Sequence, residues 1–414
     1  MKREILGGVS TFVAMAYIIV VNPAILQAAG LPVGASTVAT ILVAALGSLL
    51  MGVYAKQPIA VAPYMGENAF LAFGLGALGI TWQQRLGSVF IAGIIFLVIT
   101  LVGIRGWLAR SISMSLKRSF GAGIGLFLAF IGLHETGIVE SAQAVPVKIG
   151  NLRSPAVLLA IGGFVVIMVL LQRRVRGAIL IGMVATAVAG AVLGLAHAPA
   201  ALFALPFRGQ YSLAPIALQL DIAGVLRLSF LPVLLTLVLM SFLDTLGTLV
   251  GLGDIPDIER PMTVDAISCI ASGLLGTSTS GAYIESAVGM REGARTGVAA
   301  ITVSTLFALS LFCIPLIEPL QQLRFAYGPA LIAVGALMLD SIRGIGFDDF
   351  TELVPAFATI AMMVFTYNIA NGLTAGLVLH PLMKVLAGRG REVSGGSVVL
   401  ALLCLVYYVF GLPH

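Results

Sequence analysis

The sequence predicts an all-α polytopic membrane protein, and three observations carry that reading. Charged residues make up only 10% of the 414 positions, where a soluble domain carries about 25%. Hydrophobic residues make up 59%, and the mean hydropathy is +1.08. The apolar residues fall into runs close to the ~20 residues that a membrane-crossing helix needs. Together these exclude a soluble globular enzyme, a disordered chain and a fibrous protein.

The runs place about fourteen crossings at 7–29, 34–54, 58–78, 84–104, 119–139, 155–172, 177–197, 229–251, 262–276, 277–292, 295–316, 327–341, 352–369 and 372–388. A further run, 397–411, is either another crossing or a segment lying at the surface. The connections are short, so 1–414 reads as one membrane domain. The net charge is +5. In a soluble chain that charge would point to nucleic acid; here the basic residues follow the positive-inside rule. If the N-terminus is cytoplasmic and the spans alternate, the inner loops hold seventeen Lys and Arg, among them Lys56, Arg110, Arg173, Arg174, Arg176, Arg260 and Arg391. The outer loops hold six: Arg85, Lys148, Arg153, Arg208, Arg227 and Arg324. No nucleic-acid partner is expected, and the bilayer is the expected surroundings. Cys269, Cys313 and Cys404 read as small packing residues, and His134, His197, His380 and His414 form no ligand cluster. Neither metal nor organic cofactor is expected.

Two of the runs differ from ordinary spans. One is Gln57-Pro-Ile-Ala-Val-Ala-Pro-Tyr-Met-Gly-Glu-Asn-Ala-Phe70. The other is Gly276-Thr-Ser-Thr-Ser-Gly-Ala-Tyr-Ile-Glu-Ser-Ala-Val-Gly289. Pro58 and Pro63 cannot donate backbone hydrogen bonds, and the hydroxyls of 277–280 compete with helix formation. Such backbone survives at membrane depth only where protein buries it or where it lines a cavity. The two segments are the third and tenth spans, with Glu67-Asn68-Ala69 and Glu285-Ser286-Ala287 in matching places. An odd offset of seven inverts one half relative to the other. Paired broken helices of this kind point to a transporter site built from inverted repeats.

Glu67, Asp244, Asp265 and Glu285 are the acids expected at membrane depth. A charge there costs at least about 2.5–3.5 kcal/mol, so such an acid serves a pathway, a proton relay or a partner. No Lys or Arg is expected at comparable depth. Asp265 falls near a predicted helix start, where an acid can simply complement the helix dipole. Burial disfavours the charged form of a carboxylate, so these groups could take up and release a proton as the site changes. They could also accept N–H bonds from a polar ring-shaped ligand, with backbone donors at the helix starts beside them. Tyr64, Phe70, Phe73 and Tyr283 lie in the broken segments, where they either pack or stack on a flat ligand.

Five motifs, in order, carry a resemblance to a known family. Thr11-Phe-Val-Ala-Met-Ala-Tyr-Ile-Ile-Val-Val-Asn-Pro23 looks like the first helix of AzgA-like purine permeases, a branch of the nucleobase–cation symporters. Ala62-Pro-Tyr-Met-Gly-Glu-Asn-Ala69 resembles their third-helix motif, and Asp244-Thr-Leu-Gly-Thr-Leu-Val-Gly251 their eighth. Gly276-Thr-Ser with Tyr283-Ile-Glu-Ser286 is similar to the tenth. Val354-Pro-Ala-Phe-Ala-Thr-Ile-Ala-Met-Met363 with Thr366-Tyr-Asn-Ile-Ala-Asn-Gly372 completes the set.

The resemblance implies the uracil-permease-type fold: two inverted seven-helix repeats with short strands in helices 3 and 10. It implies a core domain, 1–117 and 229–317 (helices 1–4 and 8–11), moving against a gate domain, 118–228 and 318–414 (helices 5–7 and 12–14), in a homodimer. The implied activity is proton-coupled import of hypoxanthine, guanine or adenine across a bacterial inner membrane by an elevator-like movement, with the proton as the coupling ion. The implied site falls on Asn68, Asp244 and Glu285, with Ser241, Thr245, Ser286, Tyr283 and Tyr64 beside them. The sequence departs from the family at three places. Ser241 stands where a second acid is common, Tyr64 where glycine is common, and Glu67 where the residue is often apolar. Asp244 or Glu67, with Glu285, would therefore carry the coupling proton. The same fold could instead carry uracil, xanthine or an organic anion. An integral-membrane enzyme would need a His, Cys or acid cluster at one membrane face, which the sequence does not suggest.

Overall fold

The computed structural model describes residues 1–409 apart from 77, 143, 144, 198, 200, 254 and 256, and omits the side chains of 105, 109 and 406–409. His414, and the last two residues of the expected run 397–411, lie outside the described residues.

The first expected crossing is two helices, α1 (Lys2–Met15) and α2 (Ile18–Ala28). They are joined through Ala16-Tyr17, where the N–H groups of Ile19 and Val20 reach the carbonyls of Ala16 and Tyr17 at 3.1 and 3.0 Å. That tighter i→i+3 pattern inside a helix is a hinge-like interruption, at a place the sequence reading treats as continuous. The helix α3 (Val33–Val53) returns across the layer. The third segment is broken as expected: β1 (Val61–Pro63), a short α4 (Met65–Ala69) and a π-helical turn over Phe70–Gly74. The helix α5 (Trp82–Leu101) follows, opened by a Thr81/Gln84 capping box. Next come a short α6 (Arg105–Ser111), α7 (Met114–Glu135), a hairpin of β2 (Val139–Ser141) and β3 (Val147–Ile149), then α8 (Pro155–Gln172) and α9 (Ala178–Val192).

The second half runs through α10 (Ile222–Val225), α11 (Leu231–Gly251), α12 (Glu259–Leu275), β4 (Ser280–Ala282), α13 (Ser286–Arg291), α14 (Gly297–Ser310) and α15 (Ile314–Gln322). It ends with α16 (Arg324–Met338), α17 (Phe350–Phe365), α18 (Ile369–Leu386) and α19 (Gly395–Val409). Gly276 closes α12 at φ +94°, a left-handed turn that glycine adopts without strain. That turn releases the chain into the extended Thr/Ser run.

Among the described residues, nine helices or helix pairs are long and apolar enough to cross a membrane, including Lys2–Ala28 and Gly297–Gln322. Ala178–Val192, Phe350–Phe365 and Gly395–Leu405 are shorter apolar helices. The two broken segments and α12 make up the remaining expected spans.

The broken segments meet. β1 pairs antiparallel with β4, with Val61 opposite Ala282 and Pro63 opposite Ser280. Antiparallel pairing of matching segments is what inverted halves produce. Aligned on that pairing, Glu285 matches Gly66 and Glu67 matches Ser286, one residue away from the equivalence read in the sequence.

Two sets of helices pack mainly among themselves. α12 lies on α5, α14 on α3, and α1 on α13 and α14. α7 lies on α16 and α17, α8 on α9 and α16, and α18 on α17 and α19.

Among the described residues, basic side chains are buried at two places, both away from the cavity described below. Arg85 belongs to α5 and is 8% exposed rather than lying free in a loop. It donates to the carbonyls of Ile80, Leu71 and Ala72 at 2.8, 3.0 and 3.3 Å. Two of those carbonyls belong to the π turn, whose altered ladder leaves acceptors to satisfy. Where α17 begins and α18 ends, Lys384 lies 3.1 Å from Glu352, 3.1 Å from Glu392 and 3.5 Å from Asp349. His380 Nε2 lies 3.1 Å from Glu352, and Arg389 lies 2.6 Å from Asp349 and from Glu392.

Candidate functional site

The β1–β4 junction holds the site. A cavity of about 150 Å³ lies beside it, lined by Tyr17, Tyr64, Met65, Gly66, Asp244, Thr248, Ala282, Tyr283, Ile284, Glu285, Val334 and Met338. Among these residues every ionisable group is an acid or a tyrosine, and no Lys or Arg contributes. Four of the expected site residues, Glu285, Asp244, Tyr64 and Tyr283, therefore share one cavity.

Glu285 stands at the head of α13, just past the end of β4. Its Oε1 accepts a hydrogen bond of 2.8 Å from the Tyr17 hydroxyl. Asp244 projects from α11, one turn before Thr248. Glu67 is fully buried in α4, with Asp244 as a charged neighbour and no hydrogen-bond partner on either carboxyl oxygen among the described residues. Two neighbouring acids repel one another when both are charged.

The rings of Tyr64 and Tyr283 lie parallel, 8° apart, with centroids 6.2 Å apart. Tyr283 donates to the Pro63 carbonyl at 2.5 Å, so its hydroxyl ties the two broken segments together. Tyr64 bonds Thr245 Oγ1 at 3.1 Å, and its ring lies over Gly281, where a Cβ would come within 2.7 Å of the ring carbons. The bulk at position 64 is thus accommodated by the missing side chain at 281. Phe70 and Phe73 take no part: Phe70 is fully buried away from the lining, and Phe73 packs edge-on against Tyr367.

Asp265 departs from the expectation of a helix-start acid. α12 begins earlier, at Glu259, because Pro261 is tolerated in a first turn; Asp265 is consequently two turns inside and fully buried. Its Oδ2 accepts from Thr245 Oγ1 at 2.8 Å and from the Ala282 N–H at 2.9 Å. It is a clamp between α11, α12 and β4. Thr245 accordingly serves Asp265 and Tyr64 and lies outside the lining. Ser241, one turn before Thr245, is buried and also outside it.

Asn68 and Ser286 are likewise behind the cavity. Asn68 Nδ2 donates to Asn22 Oδ1 at 2.8 Å. Asn22 in turn donates to Thr40 and Thr277 at 2.7 and 2.9 Å and accepts from Ser278 at 3.2 Å. This buried knot joins α2, α3, α4 and the run before β4. Ser286 Oγ accepts from the Ala60 N–H at 3.0 Å and braces β1. Of the lining, sequence reasoning did not single out Tyr17, Met65, Gly66, Thr248, Ala282, Ile284, Val334 or Met338. Tyr17 stood within a quoted motif, and its polar tip inside an apolar run was the available signal. Nothing in the α16 pattern marked Val334 or Met338.

The sequence matches the family described as Permease family over residues 2–375. It is 38% identical to the adenine permease AdeQ of Escherichia coli over 97% of this chain and 91% of that protein. It is 39% identical to the guanine/hypoxanthine permease PbuG of Bacillus subtilis over 99% of this chain and 96% of that one. The chain belongs to this permease family. It falls with the AzgA-like purine permeases that its motifs resemble. The transmembrane domain of a cyanobacterium bicarbonate transporter, BicA, superimposes with a TM-score of 0.64 at 16% identity, over 91% of this permease and 97% of that chain. That likeness speaks for the uracil-permease-type fold alone. The permease is therefore a multi-pass membrane transporter.

Proposed function

We propose that this permease carries purine nucleobases such as hypoxanthine, guanine or adenine, and that it does so by proton symport. The observation that carries the reading is the cavity at the β1–β4 junction, whose ionisable side chains are two acids and three tyrosines. Carboxylates on two of its walls accept N–H groups, and two parallel tyrosines offer faces to a flat ring. A dicarboxylate or other organic anion is disfavoured by the same lining, which has no cation to receive it. Glu285 holds ring N–H groups of the base. Glu67 and Asp244 hold the coupling proton between them.

The elevator reading rests on the packing. α1–α5 with α11–α14 form the moving core, and α7–α9 with α16–α19 the static gate; the cavity lies where α11 and the broken segments face α16. A cytoplasmic N-terminus, a bacterial plasma membrane and a homodimer complete the proposal.

The test is uptake of radiolabelled hypoxanthine, guanine and adenine into proteoliposomes, with and without an imposed pH gradient. Gradient-driven accumulation of at least one base is expected. Accumulation that is unchanged once a protonophore has collapsed the gradient excludes proton coupling, and no uptake of any purine excludes the substrate class. Glu285→Gln is expected to abolish binding.

A further inference from the structure

We propose that Tyr17 sets the purine selectivity of the site by occupying one of the two acceptor oxygens of Glu285. The inference rests on the purine reading above and adds a residue to it. Tyr17 stands at the tight turn between α1 and α2, 2% exposed, and lines the same cavity as Glu285. Its hydroxyl donates to Oε1 at 2.8 Å. The carboxylate consequently keeps Oε2 as the oxygen that Tyr17 does not occupy.

The chemistry of the candidate bases makes that arrangement selective. The pyrimidine edge of hypoxanthine offers one N–H beside a C–H. The same edge of guanine offers the ring N–H and an adjacent amino group. A carboxylate with one oxygen already satisfied suits the single donor, because nothing polar is left unpaired. With the hydroxyl removed, Oε1 stays unpaired when hypoxanthine binds but is filled by guanine's amino group. A buried acceptor left without a partner is the costly case, and a site built around a hydrogen bond discriminates against the ligand that lacks it. Tyr17 thus substitutes for the second donor that hypoxanthine does not have.

The test is equilibrium binding of radiolabelled hypoxanthine and guanine to the purified full-length permease. In Tyr17→Phe, hypoxanthine affinity is expected to fall roughly tenfold while guanine affinity holds. Para-aminophenylalanine incorporated at position 17, which returns an N–H donor to the same place, is expected to restore the wild-type ratio. Should Tyr17→Phe fail to accumulate, the same comparison is made with Tyr17→Met, which also lacks the donor. An unchanged guanine-to-hypoxanthine ratio in the donor-less variant, or an equal loss for both bases, overturns the role of Tyr17 while leaving the purine assignment standing. Failure of the wild-type protein to bind any purine overturns both.

Discussion

Asp265 reaches from the interior of α12 to the backbone N–H of Ala282, 2.9 Å away, and so fixes the strand that carries the cavity wall. Through the same oxygen it holds Thr245, which holds Tyr64. An acid at membrane depth thus serves the frame of the site without lining it. Asp265→Ala strands a buried N–H and a buried hydroxyl and is expected to lower stability by about 2–3 kcal/mol, read as a lower melting temperature in detergent. Asp265→Asn keeps an acceptor and should lose less; equal losses in the two variants would argue against a clamp.

Gly281→Ala tests the pairing of position 281 with Tyr64. The added methyl meets the tyrosine ring, and overpacking of this kind costs about 1–3 kcal/mol. Folded protein is expected by size-exclusion chromatography, with purine binding severely reduced. Tyr64→Gly in the Gly281→Ala background should recover part of the binding.

Glu67→Gln and Asp244→Asn separate coupling from recognition. Each removes one of the two acids proposed to hold the coupling proton. Accumulation should lose its dependence on the pH gradient, while counterflow exchange of purine across the membrane persists in Glu67→Gln. Undiminished gradient-driven uptake in both variants would remove the pair from the coupling step.

Asn22 uses all of its side-chain hydrogen-bonding capacity on Thr40, Thr277, Asn68 and Ser278. Asn22→Leu leaves several buried partners unsatisfied and is expected to cost about 3 kcal/mol or more. Asn68→Ala removes only one of these bonds and should be milder. Thermal unfolding of the two variants side by side gives the comparison.

The cluster around Arg389 predicts a dependence on pH outside the membrane spans. Hydrogen bonds from Thr351, then Arg389, hold Asp349 below the usual carboxylate range, and bonds from Arg389, then Lys384, do the same for Glu392. A depressed folded value means that the contribution is fully present above the unfolded value of about 4 and is lost as pH falls from there through the folded value. Protection of 387–394 against hydrogen exchange should therefore be flat from pH 7 to 5 and fall steeply below about 4. Asp349→Asn should flatten the fall.

The sequence shows the membrane class, the two interruptions and the four deep acids, because each is written locally, in prolines, hydroxyls and isolated charges within apolar runs. It does not show which acids line the cavity. Asp265 and Glu285 look alike as single carboxylates; a three-residue extension of α12 and the β1–β4 register separate their roles, and both are tertiary outcomes. Asn68 follows Glu67 directly, yet the helical turn of α4 aims it at Asn22. Tyr17 lies in a run so apolar that nothing marks the turn at which it sits.

The strand pair has a consequence for how the chain is made. Tyr283 and Pro63 are 220 positions apart, and β1 has no ladder partner until β4 has left the ribosome. Through most of synthesis the early half must keep its extended backbone out of the acyl chains, by hydration or by a holding contact at the translocon. A chain cut before β4 is left with β1 unpaired and the cavity wall missing.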